Sequence, residues 1–119
     1  KLAAPQKLAV NIMGDAAFGM AGMDYETAVR EKIPIMTIMF NNSALGNYKQ
    51  GMPVATERYG TPFISGDYTK VAEGLGAYSE RVENPAEIIP AINRAQTEME
   101  AQKPALLEII TREEPDLSS

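Results

Sequence analysis

The chain has 119 residues, no Cys, no His and a formal net charge of −5, a length that allows one domain with a core of modest size. Without Cys there is no disulfide framework or thiolate site, and without His the commonest zinc ligand and general base are gone. Scattered basic residues on an acidic background argue against a nucleic-acid surface, no apolar run approaches the ~20 residues of a membrane-crossing helix, and the opening KLAAPQKLAV lacks the layout of a secretory signal.

KLAAPQ leads directly into an apolar run, and the chain closes on the polar REEPDLSS. Both ends read as those of a piece of a longer polypeptide. LAVNIM at residues 8–13 is a strand that stops at Gly14. GDAAF at 14–18 follows as a turn of small residues around Asp15. MDYETAVREK at 23–32 is helical, with Asp24 near its start and Lys32 at its end, as the helix dipole prefers. PIMTIMF at 34–40 is apolar on both faces, as a central parallel strand is. Asn41 and Asn42 come next. Residues 45–65 fit no regular pattern and hold Gly46, Gly51, Pro53, Gly60 and Pro62. A connection that long is commonly functional or disordered.

GDYTKVAEGLG at 66–76 is a short helix capped by Asp67, with Val71 and Leu75 on its inner face and Gly76 as its stop. AYSERV at 77–82 is a shorter strand. In NPAEIIPAINRAQTEMEAQ, Asn84 caps and Pro85 takes the first helical position, while Ile88, Ile92, Ala95 and Met99 share one face. Pro90 either opens the main helix after a preliminary turn or kinks it. ALLEII at 105–110 is the fourth strand. Met13, Met20, Met23, Met36 and Met39 are read as core packing, since Met fills irregular gaps. Strands alternating with helices predict an α/β fold, an open three-layer sandwich with a mainly parallel sheet and helices on both faces.

Ligands of such sheets bind beyond the carboxyl ends of the strands. Asp15 follows the first strand by one glycine, and Asn42 follows the second by one asparagine, 42 − 15 = 27 residues later. Neighbouring strands would bring both side chains into one crevice. A carboxyl and an amide oxygen are hard ligands suited to Mg²⁺ or Ca²⁺, and Mg²⁺ takes its remaining oxygens from water, backbone carbonyls and a phosphate-bearing ligand. Gly14, Ala16 and Ala17 are small enough to let backbone N–H groups approach such a phosphate. Each feature alone is an ordinary strand-ending turn; the combination is what points to a site.

GDAAFGMAGMDYETAVREKIPIMTIMFNN resembles the motif of thiamine-diphosphate-dependent enzymes, a G-D-G or variant, a spacer of under thirty residues, then N-N. ETAVREKIP resembles the family's TA-x-R-x-x-x-P stretch, and NNSALG resembles the NN-x-x-x-G form of acetolactate-synthase-like members. Looser similarity runs through GDYTKVAEGLGAYSERVENPAEI. The resemblance implies a C-terminal thiamine-diphosphate-binding domain over residues 1–119, truncated at its N-terminal end, in a cytoplasmic enzyme that cleaves or forms C–C bonds next to a carbonyl. That activity is 2-oxo acid decarboxylation or carboligation, by a lyase or transferase.

It further implies that Asp15, Asn42 and the backbone carbonyl of Ala44 bind Mg²⁺. Gly14, Ala16 and Ala17 would line the diphosphate of thiamine diphosphate, with Gly46 completing the cofactor-binding motif. Ala16 stands where most of the family has Gly, and its methyl restricts a positive φ that Gly would allow. Asn47, Tyr48, Lys49 and Gln50 match no one subfamily; Tyr48 and Lys49 are candidate substrate contacts, against the alternative of a partly exposed surface helix.

No catalytic residue is assigned within the chain. The activating Glu is expected in a separate pyrimidine-binding domain, across a homodimer or homotetramer interface, so the isolated chain is expected to be inactive. FAD in the full-length enzyme is not inferable from this chain. A small-molecule substrate is expected, with no nucleic acid and no membrane partner. The alternatives are another subfamily, such as oxalyl-CoA-decarboxylase-like or sulfoacetaldehyde-acetyltransferase-like, and a non-catalytic flavodoxin-like regulatory or interaction domain. A haloacid-dehalogenase-like phosphatase would need a D-x-D that the sequence does not contain.

Overall fold

The computed structural model describes residues 1–46 and 48–113. Asn47, in the segment after the motif, and residues 114–119 of the polar tail lie outside the described residues.

The two runs that are apolar on both faces form the middle of the sheet. β2 (Met36–Asn41) and β4 (Ala105–Ile110) pair in parallel, from Met36 opposite Ala105 to Asn41 opposite Ile110. β1 (Val10–Gly14) adds in parallel beyond β2, and β3 (Tyr78–Val82) beyond β4, giving the order β1-β2-β4-β3. α1 (Asp15–Ala21) and α2 (Asp24–Arg30) connect β1 to β2. α3 (Tyr48–Gly51), α4 (Pro53–Tyr59) and α5 (Tyr68–Gly74) lie between β2 and β3. A 3-10 turn at Pro85–Glu87 leads into α6 (Ile88–Glu100), which connects β3 to β4.

Crossovers between parallel strands are right-handed, so connections that run in one direction across a sheet put their helices on one face. β1 to β2 and β2 to β3 run the same way, and α1, α2 and α5 share a face. β3 to β4 runs back, and α6 covers the other. Met36, Ala105, Leu107 and Ile109 pack there on Ala91, Ala95 and Met99. Opposite them, Met39 and Leu106 pack with Phe18, Tyr25 and Ala72. The result is the expected three-layer α/β sandwich.

Local chemistry fixes the corners. The side chain of Asp67 accepts from Lys70 N at 3.1 Å and caps α5, and Asn84 accepts from Ala86 N at 3.0 Å. Pro90 is the third residue of α6, so it opens the main helix in its first turn, where its missing N–H is not needed. Gly22 is a steric requirement: a Cβ there would sit 2.7 Å from the Phe18 carbonyl oxygen. The Tyr25 hydroxyl donates across the layer to the Ala105 carbonyl at 2.9 Å, and burial pushes its pKa up to about 12.

Several expectations change. GDAAF is the start of a helix rather than a loop, because α1 begins at Asp15 directly after β1. The stretch 45–65 contains two helices, of which α4 has no buried residue and thus no apolar stripe to betray it. Ala72, and not Val71, is the buried residue of α5; Val71 is 43 % exposed. Of the methionines, Met36 and Met39 are core and Met13 is partly buried, but Met20 and Met23 are exposed. β1 is a sheet edge, and α6 does not reach over it: Val10, Ile12 and Phe40 share that face and remain exposed, Ile12 by 64 %.

Candidate functional site

Parallel pairing of β1 with β2, Gly14 opposite Phe40, brings the ends of both strands to one edge of the sheet. Asp15 starts α1 there, and Asn41 ends β2. Asp15 is 2 % exposed. Its Oδ2 accepts from the backbone N–H of Ser43 at 2.8 Å, and its Oδ1 from Ala16 N at 2.9 Å. The Ser43 N–H is shared with Asn41 Oδ1 at 2.9 Å, which also accepts from the Ser43 hydroxyl at 3.2 Å. Asn42 Oδ1 accepts from Ala44 N at 3.0 Å, an Asx turn. Ser43 sits at φ 57°, in the left-handed region, which lets the chain reverse within two residues of the strand end.

The far side of this turn is clamped by the returning connection. Leu45 N donates to Pro62 O at 2.7 Å, Ile64 N donates to Ser43 O at 3.1 Å, and Ala44 bridges Phe63 in antiparallel fashion. Ala44 is buried as a result. Residues 42–44 are therefore held on one side by Asp15 and on the other by residues 62–64.

The sequence-derived residues fall as follows. Asp15, Asn42 and Ala44 are gathered around the one turn. Gly14, Ala16 and Ala17 occupy the N-cap and first turn of α1, where backbone N–H groups have no helical partner. Ala16 has no positive φ, so the methyl in place of glycine strains nothing. Gly46 is exposed, with nothing within 4 Å of a would-be side chain. Tyr48 and Lys49 lie on α3, both exposed; Lys49 Nζ pairs with Glu113 beyond β4 and stands 5.1 Å from the Phe63 ring centroid.

Two residues to which the motif gives no binding role, Asn41 of the Asn pair and Glu108, also belong to the cluster. Asn41 is buried, and its Nδ2 donates to Oε1 of Glu108 at 2.6 Å. Glu108 is fully buried in the middle of β4. The signal was present: alternation places Asn41 with Thr37 and Met39 on the inner face, and Glu108 is a lone carboxyl in an apolar run. Tyr68 of α5 shares the neighbourhood, since burial first, then the charges of Asp15 and Glu108, raise its pKa. A hollow of about 750 Å³ lined by Leu8, Ile33, Pro34 and Met99 lies at the amino ends of the strands and takes no part in this cluster.

The donor set suits a hard divalent cation: one carboxyl, one amide oxygen and one backbone carbonyl, all oxygen. Among the described residues no group of three or more His, Cys, Asp or Glu side chains gathers, so such a cation would depend on this mixed set and on its ligand. No described helix is long and apolar enough to cross a membrane.

Residues 1–109 match the family model described as thiamine pyrophosphate enzyme, C-terminal TPP binding domain. The chain is 36 % identical over 118 residues to the acetolactate synthase large subunit IlvG of Mycobacterium tuberculosis, covering 93 % of this chain and 20 % of that protein. It is 32 % identical over 120 residues to the sulfoacetaldehyde acetyltransferase of Alcaligenes xylosoxydans xylosoxydans, covering 95 % and 19 %. Among solved structures, the thiamine diphosphate-dependent 4-hydroxybenzoylformate decarboxylase of Rhodococcus jostii superposes with a TM-score of 0.80 at 23 % identity, over 97 % of this chain and 22 % of that one. The last likeness shows the fold. The chain spans about one fifth of the length of the curated relatives it matches.

Proposed function

This chain belongs to the family of C-terminal TPP-binding domains of thiamine pyrophosphate enzymes, and on that footing we propose that it anchors the diphosphate of thiamine diphosphate through Mg²⁺ in a larger enzyme. That enzyme makes or breaks C–C bonds next to a carbonyl, by 2-oxo acid decarboxylation or carboligation. Acetolactate-synthase-like and sulfoacetaldehyde-acetyltransferase-like relatives support this reaction class. The observation that carries the anchoring role is the Asp15–Ser43 hydrogen bond, which joins the carboxyl of one strand end to the turn that presents Asn42 and Ala44.

Asp15 would hold the cation through its carboxyl, Asn42 through Oδ1 and Ala44 through its carbonyl oxygen. Their all-oxygen chemistry supports that assignment. Gly14, Ala16 and Ala17 would line the diphosphate at this helix start; the Ala16 N–H is given to Asp15 Oδ1, and that of Ala17 would face the diphosphate oxygens. Gly46 extends the same surface. When bound, thiamine diphosphate supplies the carbon nucleophile and the electron sink, and magnesium neutralises its diphosphate. The residues of this chain bind and orient. They hold no proton at a reacting atom, and the activating Glu belongs to a pyrimidine-binding domain across a homodimer or homotetramer interface.

Residues 1–119 would thus form part of a C-terminal domain in a cytoplasmic enzyme. The uncovered apolar face of Val10, Ile12 and Phe40 supports packing against further parts of that enzyme. Tyr48 and Lys49, close to the same end of the sheet, would meet substrate.

Calorimetric titration of the full-length enzyme with thiamine diphosphate, with and without Mg²⁺, tests the assignment. Binding should require Mg²⁺ and be lost in Asp15→Ala and Asn42→Ala; full retention in both would rule the metal roles out. A flavodoxin-like interaction domain would bind neither. The isolated chain should not turn over pyruvate with Mg²⁺ and thiamine diphosphate, and turnover would contradict the division of labour.

A further inference from the structure

We propose that Glu108 is a positioning residue for the cation-binding turn: it holds Asn41, and Asn41 holds the Ser43 amide that ties the turn to Asp15. The proposal rests on Asp15, Asn42 and Ala44 being the ligands.

The chain of contacts is continuous. Glu108 Oε1 accepts from Asn41 Nδ2 at 2.6 Å, Asn41 Oδ1 accepts from Ser43 N at 2.9 Å, and the same N–H reaches Asp15 Oδ2 at 2.8 Å. The first link spans 67 residues of sequence and joins β4 to the end of β2. It also settles which way the Asn41 amide points. With Nδ2 spent on Glu108, Oδ1 must face the turn, and only an acceptor there can hold the Ser43 N–H and hydroxyl. A flipped amide would aim a donor at a donor.

A buried carboxyl in the layer of Met39 and Leu106 makes no sense as packing alone. Burying such a group is unfavourable unless its partners compensate, and an apolar residue of similar volume would serve the core as well or better. Glu108 Oε2 has no hydrogen-bond partner among the described residues, and the nearest basic group, Arg81 Nη1 on β3, is 3.8 Å from Oε1. The carboxyl therefore stands for the one strong bond it makes, to Asn41. Outer-shell partners of this kind orient metal ligands, and their loss typically weakens metal affinity by about 10–100-fold.

The experiment uses the full-length enzyme carrying Glu108→Met, Glu108→Gln or Asn41→Asp, with Asp15→Ala beside them. Two quantities are read: the Mg²⁺ affinity in the presence of saturating thiamine diphosphate, and the hydrogen-exchange rate of the Ser43 amide in the metal-free protein. Glu108→Met and Asn41→Asp should each weaken Mg²⁺ affinity by about tenfold or more and speed Ser43 exchange. Glu108→Gln, which keeps an acceptor oxygen towards Asn41 Nδ2, should restore both to near the parent values. A purely structural role would not be rescued selectively in Mg²⁺ affinity at matched melting temperatures. Parent-like Mg²⁺ affinity and parent-like Ser43 exchange in Glu108→Met, or in Asn41→Asp should the first fail to fold, overturn the proposal. If Asp15→Ala also binds as the parent does, the ligand assignment falls instead.

Discussion

The Asp15 carboxyl accepts a 2.8 Å hydrogen bond from the backbone N–H of Ser43, closing 28 residues of chain into a single strand-end site. Neither residue could make this bond without the parallel pairing of β1 and β2, because only that pairing puts both strand ends at one edge. The left-handed backbone at Ser43 then turns the chain that follows it towards residues 62–64, where the Ser43 carbonyl accepts from Ile64 N.

That backbone gives the first prediction. A non-glycine residue at φ 57° is held against its preference by roughly 1 kcal/mol. Ser43→Gly should leave the melting temperature of the full-length enzyme unchanged or raise it slightly. Ser43→Val, β-branched in the same conformation, should lower it by several degrees. Equal melting temperatures for the two variants would contradict the turn geometry.

Tyr25 should make the protein sensitive to alkali. Its phenol, raised by burial to about 12 from an ordinary 10, stays protonated in the folded chain while the unfolded chain begins to ionise. Its contribution is intact below about pH 10 and declines as pH rises towards about 12. Tyr25→Phe should flatten this part of the stability profile and cost about 1 kcal/mol at neutral pH through the lost bond to Ala105. An unaltered alkaline slope would show that Tyr25 is not the group responsible. Tyr78, also raised to about 12 by burial and by Glu80, leaves a residual slope in the variant.

Arg94 on α6 grips Glu80 on β3 through both guanidinium Nε and Nη2. This pairing holds the Glu80 carboxyl below the usual carboxylate range. The stabilisation is present above the unfolded-state value near 4.5 and is lost as pH falls through the lower folded value. Arg94→Ala should therefore lower the melting temperature slightly at neutral pH, with the difference shrinking in acid. Thermal unfolding of the Arg94→Ala and Glu80→Gln single and double variants across pH measures it; additive effects at pH 7 would deny the coupling.

Tyr48 and Lys49 differ in what holds them. Lys49 already pairs with Glu113 and covers Phe63, whereas Tyr48 is simply exposed. Steady-state kinetics of Tyr48→Phe and Lys49→Ala in the full-length enzyme should reveal a change of several-fold in kcat or KM. Unchanged values in both would leave α3 as a surface helix.

Most of the sheet was legible because its inner strands carry an unmistakable pattern. ALLEII became β4 over the same residues, and PIMTIMF became β2 displaced only at its ends. Asp67 and Asn84 announced their helices through capping chemistry alone. α4 was hidden because a helix exposed all round leaves no periodic trace. The strand-end placement of Asp15 and Asn42 could be deduced from spacing, but Asn41 and Glu108 could not be linked that way. Their contact depends on which strand lies beside β2, and the sequence order of strands does not reveal that β4 inserts between β2 and β3.

Locating the cation tests the central claim most directly. Crystals of the full-length enzyme with thiamine diphosphate and Mn²⁺, whose ligand preferences follow those of Mg²⁺, would yield its position by anomalous scattering. The peak should lie within the roughly 2.0–2.6 Å range of hard-cation bonds from an Asp15 carboxyl oxygen, Asn42 Oδ1 and the Ala44 carbonyl oxygen together. A bound cation away from Asp15 and Asn42, with the cofactor in place, would contradict the account.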